Sequence, residues 1–412
     1  MAITRHSLSR RSLLATAAAT AFPVSRARAQ RPVIKLGVLN DQSGVYADDT
    51  GPTSVACVHQ AIQDFGDHGF DVEVLVGDHQ NKADVGASIA RQWLDQGGVD
   101  VICDVPTSSV ALAVNTICRE HNKVFLNSGA GTADLTGSQC TPNTIHWTYD
   151  TYMLSNAVGG AMVASGGDSW FFITADYVFG QQLDRDTSSV VQRMGGDVMG
   201  RRAYPFPDTR DFSSLLVQAQ ASGAKVLGLA NAGGDTINCI KQAHEFGLNK
   251  TMKIAALLGS INDVHTLGLE TAQGLMFTES FYWDLNDRTR ALTARIRPKL
   301  TKPSQLLNMV PVGNYGAVLH YLKAVAQIGI PLAKISGRDA VAQMKSMPTD
   351  DDAFGPGVIR EDGRKLHPAF LLEAKKPSES KGDWDLLRLV STTPADKAFR
   401  PMSEGHCAMI KA

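Results

Sequence analysis

The chain has 412 residues, 40 basic and 41 acidic side chains and a formal charge of −1. That balance provides no basic face for nucleic acid. The length exceeds the usual size of a single core, so two lobes are expected, and beyond the N-terminus no run is both long enough and free enough of charge to span a bilayer.

The first 29 residues read as an export signal. Arg5, Arg10 and Arg11 precede a short alanine-rich apolar run to Ala21, and Ala27-Arg-Ala29 has the small-x-small form of a cleavage site. The pair Arg10-Arg11 within Ser-Arg-Arg-Ser-Leu-Leu points to the twin-arginine route. Cleavage before Gln30 would remove five arginines and no acids, leaving 35 bases against 41 acids, a charge of about −6. An exported chain permits disulfides. Cys57, Cys103, Cys118 and Cys239 sit inside apolar patterns as small hydrophobes. Cys140 and Cys407 lie in irregular segments, so a bridge between them is expected to staple the C-terminal tail to the N-terminal half, with Cys118 to Cys140 as the alternative. No Cys/His spacing suits a metal.

Strand and helix patterns then alternate. Strands are predicted at 33–39, 71–76, 99–103 and 123–128, with helices at 54–64, 82–96 and from Val110 to Cys118. After Tyr149 a second series follows: helix 152–164, strand 169–174, helix 181–193, strand 196–203, helix 212–220, strand 224–230, helix 235–246 and strand 252–257. Helices are predicted at 287–296 and 315–328, and 357–360 with 368–373 form a hairpin-like pair around the Asp-Gly turn signal of Glu361-Asp-Gly-Arg364. Two βαβα series of this kind give parallel sheets with helices on both faces. Ligands of such sheets sit beyond the carboxyl ends of the strands, so two facing sheets make a cleft.

The segments after the strands are candidates to line that cleft. Asp104-Val-Pro-Thr-Ser-Ser109 ends a strand and opens a helix, and its hydroxyls Thr107, Ser108 and Ser109 can cap the helix or, with the exposed amides of the first turn, hold a carboxylate. Asp41-Gln-Ser-Gly-Val-Tyr46-Ala-Asp48, Asn127-Ser-Gly-Ala-Gly-Thr132, Ala175-Asp-Tyr-Val-Phe179-Gly180 and Asn231-Ala-Gly-Gly-Asp-Thr236 are similarly rich in small and polar residues, with Tyr46, Tyr177 and Phe179 interspersed. Phe281, Tyr282 and Trp283 fall where the chain recrosses, and core packing explains them as well as ring stacking does.

In the order of these segments, from Ile34-Lys-Leu-Gly-Val-Leu-Asn40 through the Asp104–Ser109 corner to Gly357-Val-Ile-Arg-Glu-Asp-Gly-Arg-Lys-Leu-His367, the chain resembles the type I periplasmic solute-binding receptors of ABC importers, relatives of the leucine/isoleucine/valine-binding protein. The resemblance covers nearly all of the mature chain. It implies an α/β fold of two Rossmann-like lobes with parallel sheets joined by a multi-strand hinge. Residues 30–149 and 281–357 would form one lobe, 150–280 and 358–390 the other, and 391–412 a C-terminal tail. It implies a ligand carboxylate held by Thr107, Ser108 and Ser109 and by Gly129, Ala130 and Gly131, with Phe179 covering the ligand.

The chain departs from the amino-acid binders of that family where an α-amino group would be held. Leu257-Leu-Gly-Ser260 stands where they carry a glutamate, and Ala232-Gly-Gly234 where they carry an aromatic. Asp235, and more weakly Asp48, could replace the missing clamp. The favoured ligand is therefore a carboxylate on a flat or apolar body, as in the subgroup that imports aromatic acids. The alternatives are a branched-chain or other amino acid, or a sensory role beside a membrane signalling protein. The expected partners are the ligand and a membrane permease, with a monomeric receptor, no cofactor and no metal. An enzyme is disfavoured, because there is no GxSxG, HExxH or phosphate-loop pattern and the histidines are scattered.

Overall fold

The computed structural model describes residues 1–2 and 31–410. The expected signal segment, but for its first two residues, lies outside the described residues. Pro32–Ala412 forms one compact unit.

The short β-branched runs form strands and the longer amphipathic stretches between them form helices. The first sheet contains β1 (Val33–Asn40), β2 (Asp71–Asp78), β3 (Val101–Asp104), β4 (Val124–Asn127) and β5 (Thr144–His146), in the order β2-β1-β3-β4-β5. Every neighbouring pair is parallel, with Leu36 of β1 opposite Val101 of β3. The second lobe begins with β6 (Ser169–Ala175), β7 (Asp197–Tyr204), β8 (Val226–Ala230), β9 (Lys253–Ala256) and β10 (Met276–Glu279). A two-stranded ribbon follows, β11 (Thr349–Asp351) with β12 (Gly355–Gly357), and then β13 (Ala369–Ala374) and β14 (Leu387–Thr393). The second sheet runs β14-β13-β10-β9-β8-β6-β7, parallel except where β13 pairs with β10 and β14.

The chain crosses between sheets after β5, after β10 and after β12. The second crossing leads into the helix Met309–Ile328, buried along most of its length and packed on the helix Gly51–Phe65 of the first lobe. It starts six residues before the expected position because the Asn308 side chain accepts from Val310 N at 2.9 Å and caps it. Pro311 lies in the first turn, where a missing N–H costs little.

The expected hairpin of 357–360 with 368–373 does not form. The Asp-Gly turn is present, with Arg360 N donating to Arg364 O at 2.8 Å, but the pairing there is short: Ile359 bridges Lys365 and Leu366 N donates to Val358 O at 2.9 Å. Residues 369–374 instead insert between β10 and β14, where both backbone edges are paired. The turn segment adds to the edge of the first sheet: His146 N donates to Gly363 O at 2.9 Å and Lys365 N to His146 O at 3.0 Å. Arg364 and Lys365 are buried in this crossing. Burial pulls the Lys365 ammonium down to about 8 while Asp351 opposes the shift.

Beyond β14, which continues to Thr393 and so past the expected lobe boundary at 390, the tail returns to the first lobe. Cys407 there is bonded to Cys140, with Cα atoms 5.6 Å apart. Cys118, the alternative partner, is a buried free thiol.

Candidate ligand cavity between the lobes

The corner after β3 carries unusual backbone. Asp104 and Val105 have φ of +80° and +55°, a region that a β-branched residue adopts only when its surroundings impose it. Those surroundings are polar and internal. The Asp104 carboxylate accepts from Thr50 Oγ1 at 2.7 Å and Asn40 Nδ2 at 2.9 Å, and its carbonyl accepts from Gly129 N at 3.1 Å. Thr107 Oγ1 donates to Asn81 Oδ1, whose amide in turn donates to Asp41 at 2.6 Å. The corner meets the interlobe space through Pro106. Gly129 lies against it, and a Cβ on Gly129 would fall 2.5 Å from Pro106 Cα.

Pro106 and Gly129 form one end of a cavity enclosing about 500 Å3 of space not filled by protein, part of it open to the surroundings. Tyr46, Tyr149, Tyr177 and Phe179 form its aromatic walls. Tyr46 and Tyr177 meet hydroxyl to hydroxyl at 2.6 Å across the lobes, and Phe206 stacks on Tyr177 at 4.2 Å. Tyr149 OH donates to Gly129 O at 2.5 Å. Further interlobe bonds close the structure: Gly234 N donates to Val45 O at 3.0 Å and Ser260 Oγ to Asp49 Oδ1 at 2.6 Å.

Another part of the lining is acidic. Asp49, Asp263 and Glu279 line it together with Ser260, Asn308, Met309 and Val310. Ser260 begins the helix Ile261–Leu267 in a capping box whose other half is Asp263, with Ser260 N donating to Asp263 Oδ2 at 2.8 Å. Glu279, the last residue of β10, accepts from Met309 N at 2.9 Å at the start of a 20-residue helix, where a carboxylate is favoured. Burial raises all three carboxyls, Asp49 to about 6, and the charge of Asp49 adds to the shifts of Asp263 and Glu279. Each acid uses one oxygen on the protein. Among the described residues no hydrogen bond reaches Asp49 Oδ2, Asp263 Oδ1 or Glu279 Oε1, and no Lys, Arg or His lines the cavity.

Of the residues expected at the site, Tyr46, Gly129, Tyr177, Phe179, Ala232 and Gly233 line this cavity. The others lie elsewhere. Thr107 and Ser108 are buried and Ser109 half-buried in the opening of the helix Ser108–Glu120, which has no side-chain cap from Thr107. Ala130 is buried in a core behind the first sheet, and Gly131 fits under the rings of Phe179 and Tyr149. Leu257 is buried in the core while the next residue, Leu258, reaches the cavity. Asp48 is exposed and pairs with Lys302 at 2.7 Å. Asp235 accepts from Tyr204 OH at 2.8 Å, and burial pushes it up to about 6. Neither expected replacement clamp therefore lines the cavity. Tyr282 OH and Trp283 Nε1 donate to Leu387 O and Trp384 O, so these rings belong to the second lobe's packing. The acids that line the cavity, Asp49, Asp263 and Glu279, were not among the sequence candidates, although the Ser260-x-x-Asp263 capping pattern was visible.

Two parallel α/β lobes closed over an interlobe cavity define a solute receptor of the bilobal type. The chain belongs to the periplasmic binding protein family, whose model matches residues 33–383. It is similar to a periplasmic binding protein from Burkholderia mallei, with 46% identity over 92% of this chain and 99% of that one and a TM-score of 0.88. It is also similar to a branched chain amino acid ABC transporter periplasmic ligand-binding protein from Burkholderia xenovorans, with 38% identity over 91% and 99% of the two chains and a TM-score of 0.79. A solute binding protein from Rhodopseudomonas palustris in complex with 4-hydroxybenzoate shares the fold at 18% identity, over 89% and 98% of the chains, with a TM-score of 0.79. No curated protein matches the chain. The protein thus belongs to a family of non-enzymatic solute-binding proteins.

Proposed function

We propose that this receptor closes on a small solute carrying a protonated nitrogen and presents it to the permease of an ABC importer. The observation that supports this reading is the donor and acceptor content of the cavity: the buried Asp263 and Glu279 and the half-buried Asp49 each keep an oxygen that accepts no hydrogen bond among the described residues, and no Lys, Arg or His is among the residues that line the cavity. A protonated nitrogen supplies both the charge and the donors, because buried charges are retained when paired and hydrogen-bonded. The benzoate-like acid favoured by the family resemblance would instead place a fourth carboxylate among three. The aromatic walls suit an apolar body on the ligand.

Closure then follows from contacts made by both lobes. Asp49 comes from the first lobe, and Asp263 and Glu279 come from the second. A cation between them is bound better by the closed form than by the open one, and this differential affinity is what shifts the lobe equilibrium. Calorimetry of the ligand-free protein against organic amines, amino acids and aromatic carboxylates tests the reading. Binding is expected from a nitrogen-bearing compound and is expected to weaken in Glu279→Gln. Binding by an aromatic carboxylate, with every nitrogen-bearing compound silent, rejects it.

A further inference from the structure

The crossings after β5, β10 and β12 are joined by a further link between the lobes, one that is complete only through the disulfide. β14 belongs to the second sheet and ends at Thr393. Beyond it, Arg400 Nη2 donates to Ala133 O at 3.1 Å, in the short turn Ala133–Thr136 between β4 and β5 of the first lobe. Cys407 then bonds to Cys140, in the same connection. The tail thus leaves one lobe and is covalently fastened to the other.

The stretch between these two ends is seated on the crossings themselves. Ala398 and Phe399 are buried. The Arg364 guanidinium lies over the Phe399 ring at 4.4 Å, and the His367 ring meets it edge-on at 5.0 Å. Arg364 and His367 belong to the crossing after β12, and both reach the crossing after β5: Arg364 Nη1 is 3.5 Å from Asp150 Oδ2, and His367 Nε2 is 3.3 Å from Thr148 O. Arg360 Nη1 donates to Arg400 O at 2.8 Å. The only slack in this stretch is one turn, in which Ala398 N donates to Pro394 O at 3.0 Å. Unwinding it would expose Ala398 and Phe399 and separate the ring from Arg364.

We infer that residues 394–407, completed by the Cys140–Cys407 bond, form a strap across the hinge that limits how far the lobes open. Opening turns one lobe on the other about the crossings, and a link held at both ends and seated over two of them restricts that rotation. A disulfide ordinarily acts by constraining the unfolded chain, which changes stability alone. The strap acts within the folded protein, where it shifts the population from open towards closed, and it does so whichever solute is bound.

Two variants of the ligand-free protein separate these effects. Cys140→Ser together with Cys407→Ser removes the fastening. Insertion of Gly-Ser-Gly-Ser between Thr393 and Pro394 keeps the bond but adds up to about 13 Å of reach. Four more residues hardly change the entropy of closing a loop whose ends are 267 positions apart, so the insertion relaxes the strap without removing the staple. Opening is read by hydrogen exchange at the Gly234 amide, which donates to Val45 O across the lobes at 3.0 Å. Ile173 of β6, paired on both sides within the second sheet, is the control. In the insertion variant, exchange at Gly234 is expected to quicken several-fold with Ile173 unchanged, and small-angle scattering is expected to give a larger radius of gyration. The serine pair is expected to show the same opening with a lower melting temperature. An insertion variant that exchanges and scatters as the unaltered protein does overturns the strap, whatever the serine pair shows, and leaves the bond as a stabilising staple.

Discussion

The corner after β3 and the wall formed by Ser260, Asp263 and Glu279 both lie at strand ends and helix starts, yet only the second sets its carboxylates on the cavity. At the corner, Asp104 and Thr107 are bonded to Thr50, Asn40 and Asn81, and the backbone is held at positive φ by that web. At the wall, each carboxylate gives one oxygen to the protein and keeps the other. A hydroxyl at a helix start is therefore a poor indicator of a site on its own. What separates the two regions is whether the groups face the cavity: Asp104 Oδ1 and Ser108 Oγ are also without a partner but do not line it, whereas Asp263 and Glu279 do.

Removing charge from the wall is the strongest way to test this contrast. Glu279→Gln and Asp263→Asn each remove a charge-assisted contact worth roughly 1.5–3 kcal/mol, so calorimetry is expected to show about a tenfold to hundredfold loss of affinity for the bound cation. The ligand-free Glu279→Gln variant is expected to melt higher near neutral pH, because a buried carboxylate that prefers its proton is replaced by a neutral amide. Lower affinity with lower stability would instead mark Glu279 as structural.

Acidification is expected to have the next largest effect. Burial raises the Asp49 carboxyl from 3.8 to about 6. Its protonated form is favoured by folding, so this group's stabilisation is complete below about pH 3.8 and is lost as the pH rises through about 6. A bound cation favours the charged carboxylate and works in the opposite direction. Between about pH 5 and about pH 7.5 the ligand-free protein should therefore lose melting temperature relative to Asp49→Asn, while cation affinity rises. A flat affinity profile across that window would separate Asp49 from the ligand.

The alternation of strands and helices, the two lobes and the Cys140–Cys407 bridge were legible in the sequence because each rests on local pattern or exclusion: buried β-branched runs, helical periodicity, and cysteines in irregular segments. The aromatic walls at Tyr46, Tyr177 and Phe179 were legible too, since they lie in loops that follow strands. The acidic wall was not. Glu279 ends a strand that read only as connecting chain, and the helix it meets starts at Met309, six residues before the helix expected at 315–328, with Pro311 and Gly313 in its opening turns. Asp263 had a local role as a capping partner, and its proximity to Asp49, 214 positions away, exists only in the closed fold. Likewise Thr107 was read as available because its partner, Asn81, comes from the loop after β2.

Two milder substitutions refine the contrast, and in both the lobe interface must be distinguished from the ligand contact. Tyr177→Phe deletes half of the interlobe hydroxyl pair but keeps the ring on the wall and its stack with Phe206. The loss of one neutral hydrogen bond, about 0.5–1.5 kcal/mol, should weaken closure and lower affinity by roughly two- to tenfold for every ligand alike. Thr107→Val is the mildest for binding and the most informative about the corner. It removes the bond to Asn81 and leaves that buried amide oxygen without its hydroxyl donor, so about 1–3 kcal/mol of stability should be lost. Because Pro106 rather than Thr107 reaches the cavity, the affinity of the folded protein should stay within about twofold, under 0.5 kcal/mol. Chemical denaturation and calorimetry on the same preparation measure the two quantities separately. A variant that keeps its stability and loses its ligand would return Thr107 to the binding site, and with it the carboxylate-bearing ligand that the corner first suggested.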